Sequence, residues 1–305
     1  MSLSAALLII LGLIFILLLV LNILKAINTA KATGVSFVNS LQCATNWCPP
    51  TIDNTLPVPP AFSATSPPSY NKAAQRYCAD LIGRITLKTT PYVVENPANC
   101  DLIFMWADDT NYPSFCLAWQ LAGTKTVFVA IRGTMSFAEV IVDLDYTQKA
   151  LPRGGASQVL VHSGFSDLYE RIHPGLVDAL AKISNDPAQI SIYVCGHSLG
   201  AGVATLGSIA LIQSGYVNTV AYVFASPRVG NVAFSEMVAS NRVPLFRLEN
   251  ACDLVPTLPF SVSPNFEDTG SPYMFEHAGS VTHFSDNRKS LQNNHLISAY
   301  IDFLI

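Results

Sequence analysis

The stretch Ile190-Ser191-Ile192-Tyr193-Val194-Cys195-Gly196-His197-Ser198-Leu199-Gly200-Ala201-Gly202 decides the reading of this chain. Ile190 to Cys195 is apolar and β-branched, the composition of a buried strand. Leu199 to Ser214 is rich in Ala, Leu and Ile, the composition of a helix. Gly196 to Gly200 therefore falls on a turn between strand and helix, and G-x-S-x-G at such a turn is where a serine nucleophile is held on an elbow. The elbow brings the two backbones close together two residues either side of Ser198, and Gly196 and Gly200 carry no side chain to obstruct it.

Working outward, the flanking pattern alternates strands and helices. Asn71 to Ile82 reads as a helix, and Cys116–Leu121 with Thr126–Ile131 reads as a β-hairpin joined by Ala122-Gly123-Thr124-Lys125. Gln158 to Val161 is a short strand, and a helix runs from about Ser166 to Ile183. After the elbow come strand Thr219–Phe224, a helix ending near Ser240 and strand Pro244–Leu248. This rhythm argues for an α/β fold with a mostly parallel central sheet and helices on both faces. In such sheets ligands bind beyond the carboxyl ends of the strands, where Ser198 would sit.

A serine hydroxyl needs a base to take its proton and a third group to orient that base. In elbow enzymes both follow the serine in the chain, acid first and histidine second. Asp253 stands in a loop at the carboxyl end of strand Pro244–Leu248. His295 opens the final helix, while His277 and His283 lie in an expected hairpin, and spacing leaves His283 and His295 both open as the base. Arg132-Gly133-Thr134 ends a strand at a loop, which exposes backbone N–H groups of the kind a developing oxyanion requires. Residues 136–145 place Phe137, Val140, Ile141 and Leu144 on one helical face, as a packed amphipathic helix or a lid over an apolar cleft would.

Among 305 residues, 50% are hydrophobic and 12% charged, and residues 5–24 concentrate the apolar bias with one polar residue, Asn22, and no charge. Twenty helical residues span about 30 Å, the hydrocarbon thickness of a bilayer. No basic side chain precedes the run and its length exceeds a signal-peptide core, so a transmembrane anchor over 1–25 is expected; secretion after cleavage near Ala30-Lys31-Ala32 is the alternative. Lys25 and Lys31 follow the segment, which places the body on the cytosolic side. Seven prolines between Pro49 and Pro68 mark residues 26–69 as a linker, either an extended spacer or an arm packed along the body, with the main domain over 70–305.

The seven cysteines form no C-x-x-C pair, so a zinc site is not expected, the serine chemistry calls for no metal or organic cofactor, and Cys195 reads as a buried thiol. Cys43 and Cys48 are placed to pair if the body lies outside the cytosol. A net charge of −4 without a basic run gives no reason to expect nucleic acid.

Six motifs in order, VAIRGTMS with DLDY, VHSGF, VCGHSLGAG, FASPRVGN, RLENACDLVPTLP and NNHLISAY, resemble the class 3 lipases, the family of fungal triacylglycerol lipases and related diacylglycerol lipases and plant phospholipases. The resemblance runs from about Tyr70 to the end of the chain and implies an α/β-hydrolase fold. It further implies Ser198 as nucleophile, Asp253 as orienting acid, His295 as base, Thr134 and Leu199 as the oxyanion hole, and a lid at 136–145. The activity implied is hydrolysis of a lipid ester at a membrane or lipid surface, of acylglycerol type. Phospholipase A1-type, short-chain or feruloyl-type hydrolysis and an idle lipase-like scaffold are the other readings. The fungal members are secreted and disulfide-bonded, so their compartment does not follow for this chain.

Overall fold

The computed structural model describes residues 50–62, 69–86, 94–107, 115–133, 147–152, 157–263, 265 and 271–305. The apolar run 5–24, Cys43, Cys48, Thr134 and the expected helix 136–145 lie outside the described residues. Among the described residues no helix is long and apolar enough to cross a membrane.

Seven strands form the central sheet. They are drawn from β1 (Cys100–Trp106), β2 (Cys116–Leu121), β3 (Thr126–Ile131), β6 (Ser191–His197), β7 (Thr219–Phe224), β8 (Leu245–Asn250) and β11 (Ser280–Phe284), adjacent in that order. The first two pairings are antiparallel, and every pairing from β3 to β11 is parallel. The hairpin β2–β3 and strand β7 have the bounds their residues suggest.

Alternate residues of each strand face opposite ways. Val127, Val129, Ile131, Ile192 and Val194 enter one core, beneath α2 (Ser163–Ala181), α3 (Leu199–Gln213) and α4 (Val232–Ser240). Phe128, Ala130, Tyr193 and Cys195 enter the other, beneath α1 (Lys72–Thr86) and α6 (Ile297–Leu304). Each large side chain buried this way contributes about 1.5–3 kcal/mol, which fixes the register of the sheet. Helix α3 is apolar all round because it is buried on nearly every side. Its Gly202 receives the ring of Phe165, where a Cβ would lie 2.6 Å from Cδ2, and Phe165 in turn stacks on His162 at 4.0 Å.

Several expectations are corrected. Strand β1 has no counterpart in the sequence reading. The strand expected over Gln158 to Val161 is β5 (Leu160–His162), which pairs with β4 (Gln148–Ala150) outside the main sheet. His277 and His283 share no hairpin: His283 lies on β11, the parallel edge strand beside β8, and the small ribbon of β9 (Val262–Ser263) and β10 (Tyr273–Met274) precedes His277. Cys195 is fully buried, and burial pushes its thiol far up the pH scale.

Of the two readings of the proline-rich stretch, residues 50–62 follow the packed arm. Ser191 Oγ donates to Phe62 O at 2.8 Å and Tyr193 Oη to Pro60 O at 2.8 Å. Further along, Asp53 N donates to Asp80 at 2.8 Å and Arg84 Nη2 to Asn54 Oδ1 at 2.6 Å. Ile52 and Pro50 sit over Gly83 and Ile301, where α1 meets α6.

Candidate active site

Strand β6 is buried along its whole length and ends at His197; Ser198 then takes φ 59° and ψ −129°, and α3 begins at Leu199. A positive φ at a residue with a side chain costs about 1–3 kcal/mol and persists only where its surroundings enforce it. Here Ser198 N donates to Phe224 O at 3.0 Å and Ser198 O accepts from Ala201 N at 2.8 Å. A Cβ on Gly196 would meet Gly200 O at 2.2 Å, the close approach expected of the elbow. Gly200 answers a second demand as well: its Cβ would lie 2.3 Å from Ile131 O, so the end of β3 presses on the start of α3.

That contact brings the loop after β3 against the nucleophile. A Cβ on Gly133 would be 2.8 Å from both His197 O and Ser198 Cβ. Thr134 is the next residue, outside the described set. Leu199 opens α3, and first-turn N–H groups have no acceptor within their helix. The loop and the helix start thus flank the space beside Ser198 from two sides.

His295 Nε2 lies 2.9 Å from Ser198 Oγ, and His295 Nδ1 lies 2.8 Å from Asp253 Oδ2. All three residues are buried. The alternative base, His283, has a side chain 63% exposed that stands 3.7 Å from Glu249, whereas the bond to Ser198 Oγ comes from His295. His295 does not open the last helix. It ends a short one, α5 (Leu291–His295), and the chain breaks at Leu296 (φ −58°, ψ 140°) before α6 begins.

Asp253 follows β8 on a turn whose side-chain bonds leave neither carboxylate oxygen unused. Oδ1 accepts from Val255 N at 3.0 Å, and Oδ2 accepts from Tyr300 Oη at 2.6 Å as well as from His295. Burial and the Asp253 charge push the Tyr300 phenol well above its usual range, so it stays a donor. Asn250 donates to Asp286 O at 2.8 Å and Asn294 O at 3.1 Å, and Asn294 donates back to Cys252 O at 2.9 Å. These bonds tie the acid turn to the helix of the base. From the outer side, Arg228 Nη1 reaches Pro259 O at 2.7 Å and His277 Nε2 reaches Pro256 O at 2.8 Å.

His197, Tyr300, Asn250 and Asn294 are missing from the sequence reading. Each lies inside a quoted motif, but only the fold reveals what it touches.

Residues 128–263 match the family described as lipase (class 3). Over that stretch, less than half of the chain, the sequence is similar to the class 3 lipases. It is 32% identical over 168 residues to phospholipase A1-II 6 of Oryza sativa subsp. japonica, covering 45% of this chain and 41% of that protein. It is 31% identical over 167 residues to a lipase of Rhizomucor miehei, covering 53% and 43%. Among solved structures, a triacylglycerol lipase whose catalytic centre is described as a serine protease triad aligns with TM-score 0.56 at 27% identity, covering 70% of this chain and 78% of that one. The Rhizomucor miehei triacylglyceride lipase aligns with TM-score 0.51 at 27% identity, covering 62% and 68%. This chain spans less than half the length of the two curated relatives. The mostly parallel sheet with flanking helices is consistent with the fold of these solved lipases.

Proposed function

We propose that this chain is a class 3 lipase that hydrolyses carboxylic esters of lipids through an acyl-enzyme. The observation that carries the reading is the hydrogen-bonded relay from Ser198 Oγ through His295 to Asp253, buried behind a strained elbow. His295 Nε2 takes the proton as Ser198 Oγ attacks the ester carbonyl, and Asp253 stabilises the imidazolium and holds its tautomer. The N–H of Leu199, with the N–H and hydroxyl of Thr134, receives the oxyanion. His295 then protonates the leaving alcohol, and water attacks the acyl-enzyme by the same steps in reverse.

The lipid character of the substrate rests on two supports. The relatives carry the names lipase and phospholipase A1, and the apolar run 5–24 supplies an anchor that holds the enzyme on a bilayer with its body on the cytosolic side. Acylglycerols are the first substrate class. Phospholipids are the second, favoured by the rice relatives' names.

The test compares the wild-type chain with Ser198→Ala on p-nitrophenyl esters of increasing chain length and on vesicles of diacylglycerol or phospholipid. Turnover should fall on the order of 10⁵–10⁶-fold in the variant. Equal background for both well-folded proteins on every substrate, detergent included, would replace catalysis with the idle-scaffold reading. Carbonate extraction of the full chain from membranes tests the anchor; release into the supernatant would favour a secreted form.

A further inference from the structure

Resting on the hydrolase reading, we propose that His197, the residue before the nucleophile, is a positioning residue that ties the base to the strand carrying Ser198. Its Nε2 lies 2.7 Å from the main-chain carbonyl of His295. A carbonyl oxygen only accepts, so the Nε2 of His197 carries the proton and donates it. The ring packs 4.7 Å from the ring of His295 and edge-on at 5.8 Å to that of Tyr300, the donor to Asp253. Its other nitrogen, Nδ1, faces Gly133, lying 3.5 Å from where a Cβ there would stand. One imidazole thus touches the base and the acid's donor and stands beside Gly133.

The position of the carbonyl explains why such a tie is required. A base on a long helix would be held by that helix. His295 instead ends a five-residue one, and the backbone leaves helical geometry at the next residue. What fixes its main chain is therefore tertiary, and beside the Asn250 and Asn294 bonds to the acid turn His197 supplies the contact at the His295 carbonyl itself, from the strand that also presents Ser198. With consecutive residues holding the nucleophile and the backbone of the base, the 2.9 Å separation of Ser198 Oγ and His295 Nε2 becomes insensitive to movement of the last helices.

Burial and the neighbouring His295 hold the His197 imidazole far below its usual pKa. It therefore stays neutral, and no second positive charge competes when His295 becomes protonated. His197 is not an alternative base, because its unprotonated nitrogen, Nδ1, stands beside Gly133 while Ser198 Oγ is bonded to His295.

The experiment compares His197→Phe, which keeps a flat ring and loses the donor, with His197→Gln, whose amide N–H reaches close to the Nε2 position. Measured are kcat and KM on p-nitrophenyl butyrate, the rate at which a fluorophosphonate labels Ser198, and Tm. His197→Phe should lose about 10–100-fold in kcat and in labelling rate, with KM changed less than about twofold. His197→Gln should recover most of that loss at a similar Tm. Equal kcat for the two variants, or a loss confined to KM, overturns the proposal. If His197→Phe does not fold, His197→Met takes its place as the donor-less variant under the same criteria. A wild-type protein that neither turns over nor labels would sink the hydrolase reading itself, whereas an active wild type with an unimpaired His197→Phe sinks only the role of His197.

Discussion

Gly196→Ala isolates the geometry on which the elbow depends. The added Cβ would lie 2.2 Å from Gly200 O, 2.5 Å from Gly200 C and 2.8 Å from Ala201 N, all backbone atoms that cannot rotate away. Ordinary contact begins near 3.4 Å, so strand and helix must part by about 1.2 Å, the difference between 3.4 and 2.2. Helix α3 has little room to retreat, since Phe165 already fills the space at Gly202. The strain falls on Ser198, which moves relative to His295. Overpacking of this kind costs about 1–3 kcal/mol, or about 2–12 °C in Tm for a domain of this size. A misplacement of about 1 Å at the reacting atoms costs on the order of 10²-fold in rate.

The assay is the second-order rate of fluorophosphonate labelling, read beside thermal melting. Gly123→Ala is the control: Gly123 has φ +72° with nothing within 4 Å of an added Cβ, so it meets backbone strain of about 1–2 kcal/mol without a collision and should lose stability but not labelling rate. Wild-type labelling by Gly196→Ala, or an equal loss in Gly123→Ala, would refute the steric argument.

Tyr300→Phe removes the 2.6 Å hydrogen bond to Asp253, a charge-assisted bond of about 1.5–3 kcal/mol, so kcat should fall about tenfold with KM little changed; steady-state kinetics decides it. Burial holds His277 at about 3 against an ordinary 6.5. The unfolded chain therefore binds a proton that the folded one refuses as pH falls through that window. Stability should drop progressively from about pH 6.5 to 3, by on the order of 5 kcal/mol, and His277→Gln, which keeps a donor for Pro256 O, should flatten urea midpoints measured across that range. A chain beginning at residue 70 instead of 50 loses the hydrogen bonds of Phe62, Pro60, Asn54 and Asp53 and uncovers the Arg84–Asp80 pair, whose side chains are 4% and 3% exposed. At about 1 kcal/mol per bond, it should melt about 8–16 °C lower.

What could be read from the sequence was local. Gly196, Gly200 and the β-branched run before them announce the elbow because its sterics act within a few residues, and β2, β3 and β7 show their bounds through apolar runs closed by turn residues. Strand β1 escaped because its alternation is broken by a register shift between Leu102 and Phe104, and because Leu102 and Met105 are exposed on an edge. The choice between His283 and His295 depended on β11 pairing parallel to β8, a tertiary fact with no local signature. The same holds for the break at Leu296, where the neighbouring Asn294 side chain bonds to the acid turn.

The distances along the chain between the triad residues bear on when reactivity can appear. Ser198 and His295 are 97 residues apart, and Asp253 and His295 are 42 apart. No contiguous piece shorter than the 97-residue separation of Ser198 and His295 can hold the relay, so reactive serine reports that the most distant loops have closed. During refolding, circular dichroism should recover while labelling is still absent, and the interval between the two measures how long the last helices take to find the elbow.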